Sequence, residues 1–135
     1  MATQIFVNLP VKDLNKSISF FTKLGFTFNS QFTNDQGTCM IVANDIFVML
    51  LVEPFFQSFT RKPICDATKS TEVLICLSAG SREEVDKMVS NAKVAGGTIP
   101  NEKQDQGWMY SHGFQDPDGH IWEVVHMDPT AAPQN

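Results

Sequence analysis

An α+β fold built from two copies of a βαβββ module is what the sequence predicts, and three observations predict it. Apolar residues alternate with period two and then switch to helical spacing, and this order of patterns occurs twice. A single offset aligns the repeats, setting Phe6 against Leu74, Leu9 against Leu77 and Asp13 against Ser81. Turn residues punctuate the stretch after each helix into short strands.

In the first repeat Ile5, Val7, Leu9 and Val11 alternate with Phe6, Asn8 and Pro10, the pattern of a strand. Asp13 is placed to cap a helix whose stripe is Leu14, Ile18, Phe21 and Leu24, and Gly25 stands where such a helix ends. Strands are expected at about 27–32, 38–43 and 46–52, separated by Asn34-Asp35-Gln36-Gly37 and Asn44-Asp45. The second repeat opens with Val73, Ile75 and Leu77. Ser81-Arg82-Glu83-Glu84 then forms a capping box ahead of the stripe Val85, Met88, Val89 and Ala92, which Gly96-Gly97 stops. Three further strands are expected at about 98–103, 108–115 and 121–126. The expected organisation is a first module over residues 1–53, a linker over 54–70, a second module over 71–128 and a polar tail over 129–135, within one compact domain.

A chain of 135 residues is short enough to form one domain or two small halves. The net charge is −5 and the ten Lys and Arg are scattered, so nothing gathers a phosphate backbone and nucleic acid is not expected as a partner. No apolar run approaches the ~20 residues of a membrane span, and Met1-Ala2-Thr3-Gln4 does not begin a signal sequence. No membrane partner and a cytoplasmic location are therefore expected. Cys39, Cys65 and Cys76 are odd in number and lack Cys-x-x-Cys spacing, which favours free thiols over a disulfide framework or structural zinc.

One segment carries most of the functional information. Asp116-Pro117-Asp118-Gly119 is tight-turn chemistry, and it leads into a strand where Ile121, Glu123 and Val125 share one face and Trp122, Val124 and His126 the other. Glu123 is a carboxylate among apolar neighbours, either buried for a purpose or exposed at a rim.

The paired modules, the run Val11-Lys12-Asp13-Leu14 and the run from Phe114 to Glu123 together resemble the vicinal oxygen chelate superfamily, which includes glyoxalase I, the bleomycin-resistance proteins and the extradiol dioxygenases. The resemblance spans about residues 4–128. It implies a curved mixed sheet enclosing a cup-shaped cleft. It also implies metal ligands on the first and last strands of each module, at positions that fall on Phe6, Met49, Leu74 and Glu123 in this chain. Three of the four side chains offer neither oxygen nor nitrogen, so no metal site and no cofactor are expected, the alternative being a divalent metal held by other donors.

The residues expected to line the cup are Phe6, Asn8, Phe47, Met49, Leu74, Cys76 and Ile121, with Trp108 and Tyr110 as further candidates. Trp108, Tyr110, His112 and Phe114 share one strand face, which offers His112 to the cup beside Glu123 as either a general acid/base couple or a plain hydrogen-bonded pair. His120 and His126 read as surface or opposite-face residues. Cys76 reads as a buried structural thiol, a nucleophile being the sharper alternative. Phe55, Phe56 and Phe59 concentrate aromatic surface in the linker, where they cap a pocket, meet a partner subunit or pack beneath the loop. The expected function is binding of a small, partly apolar organic molecule in a metal-free cup by a homodimer. The alternative is a metal-dependent lyase of the lactoylglutathione-lyase type, or a dioxygenase, using Glu123.

Overall fold

The computed structural model describes residues 1–131 and residue 133, so the expected tail over 129–135 lies in part outside the described residues. The chain divides into two compact units, Met1–Cys65 and Asp66–Asn135. Each contains a four-stranded mixed sheet with a helix of its own, as the repeated pattern predicts.

The first unit comprises β1 (Ile5–Val11), α1 (Leu14–Lys23), β2 (Thr27–Asn29), β3 (Gly37–Ala43), β4 (Ile46–Val52) and α2 (Glu53–Gln57). Its strand order is β1-β4-β3-β2, with β1 parallel to β4 and the remaining pairs antiparallel. Asp13 caps α1 by accepting the Lys16 amide hydrogen at 3.1 Å, and Gly25 follows its end at φ +99°. Leu14, Ser17, Phe20, Phe21 and Leu24 are buried on α1. The sheet buries Leu9, Val11, Met40, Val48 and Leu50, which share one face by alternation and by the pairing of Leu9 with Leu50 and Met40 with Val48.

The strand expected over 27–32 stops at Asn29, because the Asn29 side chain accepts the Gln31 amide hydrogen at 3.0 Å and turns Ser30–Phe32 into a short 3₁₀ segment. The linker also begins as the helix α2. Pro54 sits in its first turn, where its missing amide hydrogen costs nothing.

The second unit comprises β5 (Leu74–Ser78), α3 (Arg82–Val94), β6 (Gln104–Asp105), β7 (Met109–Gln115) and β8 (Ile121–Met127), in the order β5-β8-β7-β6. Ser81 Oγ accepts the Glu84 amide hydrogen at 3.1 Å, and the Glu84 carboxylate returns to the Gly80 amide at 2.7 Å. That is a capping box displaced by one residue. Val85, Val89 and Ala92 are buried along α3, against a sheet face holding Tyr110, Phe114, Trp122 and Val124. The strand expected at 98–103 is reduced to a single bridge between Thr98 and Gln115, and pairing resumes only at Gln104. Pro100 has no amide hydrogen to offer a ladder, which explains the interruption.

Arg82 fastens β6 to α3. Its guanidinium makes a bidentate pair with Asp105, at 2.6 and 2.8 Å, donates to the Gly107 carbonyl at 3.0 Å and lies 4.8 Å over the Tyr110 ring. These contacts hold the Asp105 carboxyl down at about 2, with Arg82 the leading cause. No helix among the described residues is long and apolar enough to cross a membrane.

Candidate functional site

The face of each sheet turned away from its helix carries Phe6, Asn8, Phe47, Met49, Leu74, Cys76 and Ile121 of the expected ligand-binding residues, together with Glu123. In the first unit the parallel register sets Phe6 beside Phe47 and Asn8 beside Met49. The Phe6 and Phe47 rings stack with centroids 4.9 Å apart and planes within 15° of parallel, and Phe6 remains 50% exposed. Asn8 is exposed and its Nδ2 donates a long, 3.5 Å bond to the Phe6 carbonyl. Above it, a cavity of about 440 Å³ is lined by Asn8, Phe56, Phe59 and Thr60. Of the linker phenylalanines, Phe56 and Phe59 line this cavity, and Phe55 meets Phe59 edge to face at 5.1 Å.

In the second unit Leu74 pairs with Ile121 and Cys76 with Glu123, so all four share the open face. Leu74 is exposed and Glu123 half-buried, and Cys76 is exposed as well, against its expected burial, because it stands on the sheet face that the helix does not cover. Gly113 stands across from Glu123, where a Cβ would come within 2.8 Å of the Trp122 carbonyl oxygen and 3.6 Å of the Glu123 side chain. The absent side chain leaves room beside the carboxylate. Burial, and after it the neighbouring Glu123 charge, pushes the Cys76 thiol above its ordinary value. Cys39 is buried, and Cys39, Cys65 and Cys76 are all unbridged.

The strand β7 places its aromatic face opposite to the expectation. Tyr110 is buried, with its hydroxyl donating to Asp86 of α3 at 2.6 Å, and His112 and Phe114 follow on that same helix-facing side. His112 Nε2 donates to the Asn101 carbonyl at 3.0 Å, which fixes the ring against the loop over 99–103. Glu123 is paired with Gly113, not His112, so the two side chains spring from opposite faces of the sheet. They meet only around a small pocket of about 110 Å³ at the sheet edge, whose other walls include Asn101, Glu102, Gln104 and Ser111. Trp108 precedes β7 and is half-buried. His126, on the face opposite Glu123 as its parity predicts, lies 3.1 Å from the Ala79 carbonyl through Nδ1.

Asp116 is a residue whose part the sequence did not disclose. It is 5% exposed, and its Oδ1 accepts the amide hydrogens of Asp118 and His120 at 2.9 and 3.0 Å, while Oδ2 accepts the Trp122 indole hydrogen at 3.0 Å. Burial raises its pKa, against the opposing influence of His120. One carboxylate thereby shapes the turn and anchors the strand that displays Glu123. Glu102, Gln104 and Thr60 were missed as well, since loop geometry brings Glu102 and Thr60 to their pockets and the pairing of the two-residue strand β6 with Ser111 brings Gln104.

The donors at the four positions implied by the resemblance do not suit a divalent metal. Phe6 presents a ring already stacked on Phe47, Leu74 presents carbon and Met49 a thioether, leaving the Glu123 carboxylate as a single hard ligand. Among the described residues no group of three His, Cys, Asp or Glu side chains is arranged to hold an ion elsewhere.

Solved structures with the same fold span nearly the whole chain. A hypothetical protein from S. aureus is 30% identical, with a TM-score of 0.79 over 93% of this chain and 94% of its own. A glyoxalase/bleomycin resistance protein/dioxygenase family enzyme from Burkholderia phytofirmans is 16% identical, with a TM-score of 0.75 over 90% of this chain and 96% of that one. A genomically encoded fosfomycin resistance protein from Listeria monocytogenes is 21% identical, with a TM-score of 0.66 over 93% of each chain. No curated protein matches significantly. The model of the Glyoxalase/Bleomycin resistance protein/Dioxygenase superfamily matches residues 4–124, and with the repeated sheet-and-helix architecture this makes the chain a member of that superfamily.

Proposed function

We propose that the protein binds a small, partly apolar organic molecule on the open faces of its sheets and does so without a divalent metal. The observation that carries this reading is the chemistry of those faces: Phe6 and Leu74 stand half-exposed where the superfamily resemblance implies ligands, with Asn8 and Glu123 as isolated polar groups among carbon. Apolar area supplies the affinity of such a site and a few polar groups orient the ligand. Glu123 suits a ligand bearing a cation or a hydrogen-bond donor. A lyase or dioxygenase reading would use Glu123 as base or ligand, and what favours it is the small pocket that Glu123 shares with Glu102, Gln104 and Ser111.

A thermal-shift screen of small organic molecules tests the proposal. Compounds with an apolar body and one cationic or donor group should raise the melting temperature. Glu123→Gln should weaken them roughly tenfold or more, the loss expected for a bond to a charged group. Phe6→Ala should weaken them too while leaving the fold intact, since half of that ring is already in solvent. A screen without hits, or hits indifferent to both substitutions, would contradict the reading.

Exposed apolar area at Ile5, Ile46 and Val73 also supports a homodimer, because pairing such surfaces removes them from water. Light scattering at micromolar concentration should give twice the chain mass of 15.1 kDa, and a monomer mass would refute it. Cysteines without disulfides fit a reducing cytoplasm, which cell fractionation checks.

A further inference from the structure

We propose that the first unit recognises a planar aromatic ring bearing one hydroxyl or N–H group, held between the phenyl rings of Phe56 and Phe59 with its polar group on Asn8; this names the ligand class for the binding reading above and rests on it. The cavity of about 440 Å³ has two phenyl walls, one amide and one hydroxyl, Thr60. That is a volume in the range of small-molecule sites. Among the described residues Asn8 commits only its Nδ2, at 3.5 Å to the Phe6 carbonyl, so Oδ1 remains an acceptor for a ligand donor. Two residues earlier on the same face, Phe6 extends the aromatic surface with its ring stacked on Phe47.

The backbone that carries these walls is braced. Gln57 Nε2 donates to the carbonyls of Thr60 and Lys62 at 2.9 and 2.8 Å, Ser58 Oγ donates to the Phe55 carbonyl at 2.6 Å, and the Phe59 amide reaches the Phe56 carbonyl at 3.1 Å. Phe59 is held edge to face by Phe55 and yet is 70% exposed. A large aromatic side chain exposed at a cavity mouth has apolar area to give up on binding. Ring-on-ring contact then favours an aromatic ligand over a saturated one of equal size by about three- to tenfold per ring pair.

Three probes separate these features in titrations of the full chain followed by NMR. 2-Naphthol has the ring and the donor, decahydro-2-naphthol has the donor without planarity, and 2-methoxynaphthalene has the ring without the donor. The expected result is that 2-naphthol binds at least fivefold more tightly than either. Phe59→Ala, a change at an exposed position, should erase the advantage over decahydro-2-naphthol. Asn8→Ala should erase the advantage over 2-methoxynaphthalene, with both variants keeping the wild-type melting temperature. Equal binding of the planar and saturated alcohols, or an advantage that survives Phe59→Ala, overturns the aromatic assignment while the broader binding reading stands. Failure of all three probes alongside hits in the compound screen has the same meaning. Failure of the probes and of the whole screen overturns both.

Discussion

Asp116→Ala is expected to cost about 3 kcal/mol of stability and to lower the melting temperature on the order of 10 °C. Three donors lose their acceptor at once: the amides of Asp118 and His120 and the indole N–H of Trp122. The Trp122 side chain is fully buried, so its N–H has no water to turn to and bears the full desolvation penalty. Asp116→Asn should recover only part of the loss, because an amide oxygen can serve the two backbone donors while its NH₂ faces the indole N–H. The pH dependence has a definite sign. Burial raises the folded-state pKa of Asp116, so the folded chain holds this proton to higher pH than the unfolded chain. The residue's stabilising contribution is therefore complete below the unfolded carboxyl value of about 3.9 and declines as pH rises through the raised folded value. Denaturant melts of wild type and Asp116→Ala between pH 3 and 7 check both points: the gap between them should be widest at the acid end.

Gly119→Ala should cost about 2–4 kcal/mol, for two reasons that act together. Gly119 adopts φ +91°, a conformation that a Cβ makes unfavourable. That Cβ would also lie 2.9 Å from the backbone of Ala67 and Thr68, which cannot swing aside as a side chain would. The segment it meets is itself tied down, since Asp66 Oδ1 accepts from both the amide and the hydroxyl of Thr68, at 3.0 and 2.6 Å. A melting temperature within about 2 °C of wild type would show that the segment yields freely and that the close approach is not a constraint. Asp116 and Gly119 shape one turn, so the losses in the double variant should fall short of their sum.

The repeated architecture was legible because local signals and packing agree. Asp13 and Ser81 stand where helices need acceptors, and the period-two runs of β1, β5 and β8 match the faces that the helices cover. The same alternation places Phe6, Asn8, Phe47, Met49, Leu74, Cys76, Ile121 and Glu123 on the sheet faces turned away from the helices. The face of β7 did not follow. Parity groups Tyr110, His112 and Phe114 together but is silent on which side they take, and the burial of Phe114 against Trp122 at 6.4 Å decides it. The role of Asp116 was hidden for a different reason. In sequence Asp-Pro-Asp-Gly is a turn like many others, and only the reach of Trp122 back across it turns the carboxylate into an anchor. The helix α2 had its signal in Pro54 and in the spacing of Phe55, Phe56 and Phe59, within a stretch whose prolines and polar residues otherwise describe a loop.

Metal dependence tests the central claim most directly. The protein, purified without chelator, should contain well under one equivalent of any transition metal by elemental analysis, and Mn, Fe, Ni or Zn should leave its melting temperature within about 1 °C. Ligands found in the compound screen should bind equally well after chelation. One equivalent of bound metal, or a metal-induced rise in melting temperature that Glu123→Gln abolishes, would contradict the account.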